Sequence, residues 1–128
     1  MPNNLHVSLT STTPPMVDVD QTGSPNHVNQ SPNSQTITWQ LVGNAARGIF
    51  VDFHFLPNQS PDPSTIFGQP LISPNGNQLS ITDLNNSAST VGNWVYSMSI
   101  NVGGIVYSTK SILPNPTAVS TNPTIKNL

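Results

Sequence analysis

Apolar and polar residues alternate with a period of two along several short segments of the chain. This alternation predicts half-buried β-strands, because successive side chains of a strand point to opposite faces of its sheet. The residues that share an apolar face in two of these segments are Leu5, Val7 and Leu9 of "LHVSLT" and Ile37, Trp39 and Leu41 of "TITWQLV". "MVDVD" and "QLSITDL" repeat the pattern, and "LIS" predicts a short strand. The proline and glycine residues between these segments predict turns.

The segment "IFVDFHFL", residues 49–56, carries apolar residues on both faces of its predicted strand. One face holds Ile49, Val51, Phe53 and Phe55, and the other holds Phe50, Asp52, His54 and Leu56. Strands that are buried on both faces read as nearly continuous apolar runs. We therefore predict that this strand is central in its sheet.

The segment from Trp94 to Leu113 predicts a β-hairpin that turns at Gly103-Gly104. Two glycines allow the positive φ angles of a primed two-residue turn, which sets Val102 opposite Ile105. In that register one face collects Trp94, Tyr96, Met98, Ile100, Val102, Ile105, Tyr107 and Leu113, and the other collects Ser97, Ser99, Asn101, Ser108 and Lys110. A slip of one residue would expose the whole apolar face, so the register is strongly specified.

Two segments lack the alternation. We predict a polar loop near residues 21–35 and an extended, proline-containing C-terminal strap over residues 114–128, whose Ile125 fills the gap between two sheets. The 128 residues are enough for one core, so we take 1–128 as a single domain. The predicted fold is an all-β, antiparallel β-sandwich of the immunoglobulin-like, Greek-key type with about seven strands; a small β-barrel is the alternative.

Charge is scarce, and this narrows the possible partners. Charged residues make up 6% of the chain and the net charge is −2, against about 25% charged residues in an ordinary domain. Nucleic-acid binding needs clustered Lys and Arg, and a membrane span needs about 18 consecutive apolar residues, so neither is predicted. No secretory signal is visible at the N-terminus, which makes the cytoplasm the default location. An extracellular location fits if the chain is a processed form.

Asp52 and His54 lie two residues apart and therefore share one face of a strand. With His6, or with His27, they would form a His-His-carboxylate metal site. The alternative is a solvated polar face on an ordinary strand.

Asp18 and Asp20 also share a face, as the paired carboxylates of a calcium site or a glycosidase would. Acidic residues that protect an edge strand from further pairing explain them as well. No nucleophilic serine elbow and no phosphate-binding glycine loop occurs in the sequence, so no catalytic or cofactor-binding residue and no cofactor is assigned.

Four aromatic residues, Trp39, Trp94, Tyr96 and Tyr107, would suit a platform that stacks against sugar rings. All four fall on the apolar side of their predicted strands, which favours a place in the core.

The stretches "SITDLNNSAS", "WVYSMSINVGG" and "NPTIKN" resemble small uncharacterised bacterial proteins of the DP-EP type. The resemblance covers roughly Leu79 to Asn127. It implies a small all-β domain and brings no assigned activity.

Together these features favour a non-enzymatic binding or self-associating module, because the chain offers few ionisable groups for catalysis. Its many Asn, Ser and Gln side chains suit hydrogen bonding to a glycan or a protein partner. Its weakly charged sheet edges predict a homo-oligomer. The competing hypothesis is a metal-dependent hydrolase or oxygenase that uses Asp52 and His54.

Overall fold

The computed structural model describes residues 4–11, 15–20, 26–59, 61–109 and 123–128, which form two β-sheets. The first sheet has the strand order β2-β1-β4-β7-β6. Its strands are β1 (Asn4–Leu9), β2 (Val17–Val19), β4 (Gln35–Leu41), β6 (Leu71–Ile72) and β7 (Gln78–Asp83).

The second sheet has the order β3-β10-β8-β5, with β9 paired to the far end of β8. Its strands are β3 (Asn26–Val28), β5 (Ile49–Phe55), β8 (Gly92–Val102), β9 (Ile105–Ser108) and β10 (Thr124–Asn127). Three short 3-10 turns, Gly43–Ala45, Pro63–Thr65 and Ala88–Thr90, lie in the connections.

The sheets pack as a sandwich around one shared core and do not close into a barrel, so the predicted all-β sandwich is confirmed. Trp39 of the first sheet donates its indole N–H to the hydroxyl of Tyr96 in the second sheet, at 3.0 Å. Both side chains are fully buried. This hydrogen bond satisfies two polar groups inside the core and joins the sheets.

The described strands number ten rather than about seven, and two of their pairings are parallel. β1 runs parallel to β4, and β10 runs parallel to β3. The alternation of apolar residues shows which face of a strand is buried, but it carries no information on the strand's partner or direction. For this reason the expectation of an entirely antiparallel sandwich fails at these two pairs.

The hairpin prediction is confirmed over β8 and β9. Ile100 pairs with Tyr107 and Val102 with Ile105, and the turn glycines have φ angles of 62° at Gly103 and 86° at Gly104. Alternate residues of β8 from Trp94 to Ile100 are buried, but Ile105, predicted on the same apolar face, is 57% exposed beside the turn. The remainder of the predicted hairpin, including Lys110 and Leu113, lies outside the described residues.

The prediction that β5 is central is wrong, because β5 pairs only with β8 within the described sheet. A β-bulge between Phe50 and Asp52 shifts the register, so that the extra residue Val51 has no opposite partner. The bulge reverses the alternation, and Phe50 and Phe53 therefore both point into the core. The apolar residues on both sides of the bulge reflect this reversal and not burial of both faces.

Two further expectations change. β3 lies within the segment predicted as a polar loop, of which residues 21–25 lie outside the described part.

The C-terminal residues Thr124–Asn127 form a regular strand between β3 and β8 rather than an irregular strap, although Ile125 is fully buried as predicted. Residues 114–122 of the predicted strap are not among those described.

Candidate functional site

Asp52 and His54 do lie together on the outer face of β5. Nδ1 of His54 lies 2.7 Å from Oδ2 of Asp52, and the two side chains are 55% and 51% exposed. The other imidazole nitrogen and the second carboxylate oxygen make no hydrogen bond to any described residue. The pair is therefore available to a further partner.

His6 forms a separate pair on the first sheet. Its Nδ1 lies 3.5 Å from the carboxylate of Asp20, and its backbone N–H donates to Asp20 at 3.0 Å. His6 faces outward because Leu5 and Val7 face the core.

His6 and His54 thus lie on opposite outer faces of the sandwich, and His27 is exposed on β3. The described residues contain no group of three side chains suited to a metal ion.

The two acidic residues Asp18 and Asp20 lie at the edge of the first sheet. β2 is an edge strand, Asp18 is exposed on it opposite Ser8, and Asp20 contacts His6. This placement agrees with the interpretation of these acids as edge protection.

The aromatic residues considered as a sugar platform belong to the core. Trp39, Trp94 and Tyr96 are buried, and Tyr107 packs against the core while partly exposed. Burial raises the pKa of the Tyr96 phenol above its ordinary value.

A cleft of about 350 Å³ lies between the end of β5 and residues 56–59 and 61–70, beside aromatic residues of which Phe55 is partly exposed and Phe53 and Phe67 are buried. Phe53 and Phe55 of β5 and Phe67 line it, with the rings of Phe55 and Phe67 stacked at 4.7 Å. Polar side chains of Asn58, Asp62 and Gln69 also line it. Sequence patterning missed this cleft because its wall is a proline-rich connection without alternation.

Hydrogen bonds of the Asp62 and Gln59 side chains hold the wall of the cleft in place. The Asp62 carboxylate accepts the backbone N–H and the hydroxyl of Ser64, both at 2.9 Å, and these hydrogen bonds hold the pKa of Asp62 below its usual value. Gln59 accepts the N–H of Val95 at 2.7 Å and donates to the Val95 carbonyl at 2.8 Å. The connection is therefore fixed against β8.

The free edge of β5 borders this cleft. The N–H of Leu56 donates to Val95 on β8 at 3.0 Å, so the backbone groups of Phe53 and Phe55 point the other way, toward the free edge. At the start of the strand the Phe50 N–H donates to Gly76 at 2.8 Å. Within the described ranges nothing bonds to the backbone of Phe53 or Phe55 from the free side.

A buried polar cluster lies elsewhere, where β7 meets β10. The Asn127 amide donates to Oδ1 of Asp83 and to the Thr90 carbonyl, each at 3.0 Å. Asp83 is fully buried, and this burial raises its pKa to about 6. Oδ2 of Asp83 and Oδ1 of Asn127 have no hydrogen-bond partner among the described residues. Asp83 follows Leu79 and Ile81 at intervals of two residues and so lies on the same face of the strand. The alternation of "QLSITDL" therefore already indicated a carboxylate that points into the core.

Comparison with protein-family models and with curated protein sequences finds no match for this chain. The resemblance to proteins of the DP-EP type therefore stays a prediction. No helix in the described part of the chain has the length and apolar character that crossing a bilayer requires.

Proposed function

We propose that the protein is a non-enzymatic binding module that takes an extended polypeptide segment on the free edge of β5. The observation that carries this proposal is the free edge itself, which lies directly beside a cleft lined with phenylalanine rings. An added strand would receive hydrogen bonds from the backbone at Phe53 and Phe55. Its alternate side chains would enter the cleft, which is how sheet edges recognise peptides.

Exposed apolar residues on this side of the sandwich support the proposal. Ile49 and Val51 of β5 are each 44% exposed, and Leu71 and Ile72 of β6 are 68% and 46% exposed. Ile49 lies against Gly76 in the turn between β6 and β7, so these residues belong to neighbouring edges of the two sheets. Removal of their apolar surface from water would favour binding of a partner.

A soluble peptide of alternating valine and threonine, flanked by lysines, is the probe for this proposal. We expect it to shift the ¹⁵N amide signals of Phe53 and Phe55 and to slow their hydrogen exchange. Phe55→Ala should weaken the binding by about tenfold through the loss of one aromatic contact. Ile105→Ala, at an exposed apolar residue of the β8–β9 hairpin, should leave it unchanged.

A glycan is the other partner class that the polar composition suggests. A panel of oligosaccharides is therefore tested under the same conditions. Shifts at the cleft with a sugar and none with the peptide would overturn the peptide proposal.

A metal-dependent enzyme is the second candidate function, favoured by the 2.7 Å contact between His54 and Asp52. Elemental analysis of protein purified without a histidine tag separates the two functions. Under the binding proposal we expect no stoichiometric transition metal. A stoichiometric metal that is lost in His54→Ala would instead support the enzyme.

A further inference from the structure

We propose that the segment bound by the β5 edge is β5 of a second copy of this chain, so that two sandwiches join through one continuous sheet. This inference rests on the proposed function, since it uses the same free edge. In the proposed dimer the two β5 strands run antiparallel around a two-fold axis at Phe53. Such an interface is isologous, because each copy contributes the same residues.

The direction of the backbone groups is consistent with this axis and excludes an axis at Asp52 or His54. The N–H and C=O of Phe53 point to the free edge, as the β5–β8 ladder shows. Phe53 and the partner subunit's Phe53 would therefore exchange both hydrogen bonds as a directly opposed pair. An axis at Asp52 or His54 would instead oppose residues whose N–H and C=O groups point at β8.

Charge complementarity selects the same axis. Around Phe53, Asp52 of one copy lies opposite His54 of the partner subunit, and the reverse pair forms on the other side. A carboxylate and an imidazole that face each other across antiparallel strands can hydrogen-bond, and charge attraction adds to this pairing where the imidazole is protonated. An axis at Asp52 would place two carboxylates face to face, and an axis at His54 would do the same with two imidazoles.

The contact between His54 and Asp52 within one chain is compatible with this arrangement. It uses Nδ1 of His54 and Oδ2 of Asp52, and when His54 is protonated its Nε2–H can donate to Oδ1 of the partner subunit's Asp52 across the dimer axis. The four side chains would then form one alternating ring of carboxylates and imidazoles on the outer face of the joined sheet.

The apolar residues on the same side of the sandwich would be covered as well. The β6 edge with Leu71 and Ile72, which neighbours β5 on this side, would approach its copy. Unprotected sheet edges with exposed apolar residues pair readily with another strand. The exposure of Leu71, the largest among the exposed apolar residues of the described part, is explained by this second contact.

The test is sedimentation equilibrium from micromolar to millimolar concentration on wild type, on His54→Asp, and on the double variant Asp52→His/His54→Asp. His54→Asp sets carboxylates opposite each other and should weaken dimerisation by at least about tenfold. The double variant exchanges the carboxylate and the imidazole between the two positions and should restore wild-type affinity. His6→Asp, at the separate pair with Asp20, is the matched control and should leave the affinity unchanged.

Thermal unfolding of each variant checks that substitutions at these half-exposed positions leave the fold intact. A wild-type protein that is monomeric at every concentration would overturn the dimer, as would a His54→Asp dimer as tight as wild type. A double variant that stays weak would overturn the register at Phe53. Protection of Phe53 and Phe55 by the valine–threonine peptide in a strictly monomeric protein would refute the dimer and leave the proposed function standing.

Discussion

Replacing Trp94 with alanine is expected to lower the free energy of unfolding by about 3–5 kcal/mol, the usual cost of removing a buried tryptophan. The Trp94 side chain is 2% exposed and meets the ring of Phe67 edge-on at 5.9 Å. The substitution removes this apolar surface from the core and leaves a cavity beside Gly92, whose backbone lies against the indole. Denaturant unfolding measures the loss as a lower midpoint.

Ser99→Ala on the opposite face of the same strand is the matched control. The Ser99 hydroxyl lies 2.9 Å from that of Ser108 on the partly exposed outer face. Losing this contact should cost about 0.5 kcal/mol or less, because water replaces the lost partner. Equal midpoints for the two variants would show that the faces of β8 are inverted.

Asp83→Asn is expected to stabilise the protein at neutral pH and to remove a pH dependence. The pKa of Asp83 rises from 3.8 to about 6 on burial, so the folded state binds a proton more tightly than the unfolded chain. The contribution of Asp83 to the stability of the protein is therefore most favourable below pH 4 and declines as the pH rises to about 6. At pH 7 the free energy of unfolding is lower than below pH 4 by at most about 3 kcal/mol because of this group.

An asparagine at position 83 removes the buried charge and completes the hydrogen bonding. Its Oδ1 accepts from the Asn127 amide as before, and its Nδ2 can donate to Oδ1 of Asn127, which now has no partner among the described residues. Unfolding free energies at pH 4 and pH 7 measure the effect. Asp18→Asn, at an exposed carboxylate, should keep the wild-type slope, and a wild-type slope in Asp83→Asn would contradict the role given to this carboxylate.

The candidate site was predictable only in part. Neighbours in one strand are placed by the pleat, so the shared face of Asp52 and His54 follows from their spacing and is observed. The proposed third ligand, His6, depends on which sheet each strand joins. The structure puts His6 on the other sheet with Asp20.

The free edge of β5 shows the same limit. Its apolar run indicated a buried central strand, because a period of two cannot reveal one inserted residue. The bulge at Val51 lets Phe50 and Phe53 both reach the core from an edge strand. The cleft beside it is lined by residues of the connection between β5 and β6, within 56–59 and 61–70, and no local pattern encodes that contact.

The local pattern of residues was therefore sufficient to predict which face of a strand is buried, the Gly103-Gly104 turn with its register, and the all-β class of the fold. These depend on the side-chain period and on backbone angles, which act over a few residues. Tertiary packing was needed for the placement of β10 between β3 and β8, the edge position of β5 and the burial of Asp83 against Asn127. Each of these joins residues far apart in the chain, where the partner is chosen by the fit of the whole core and not by neighbouring residues.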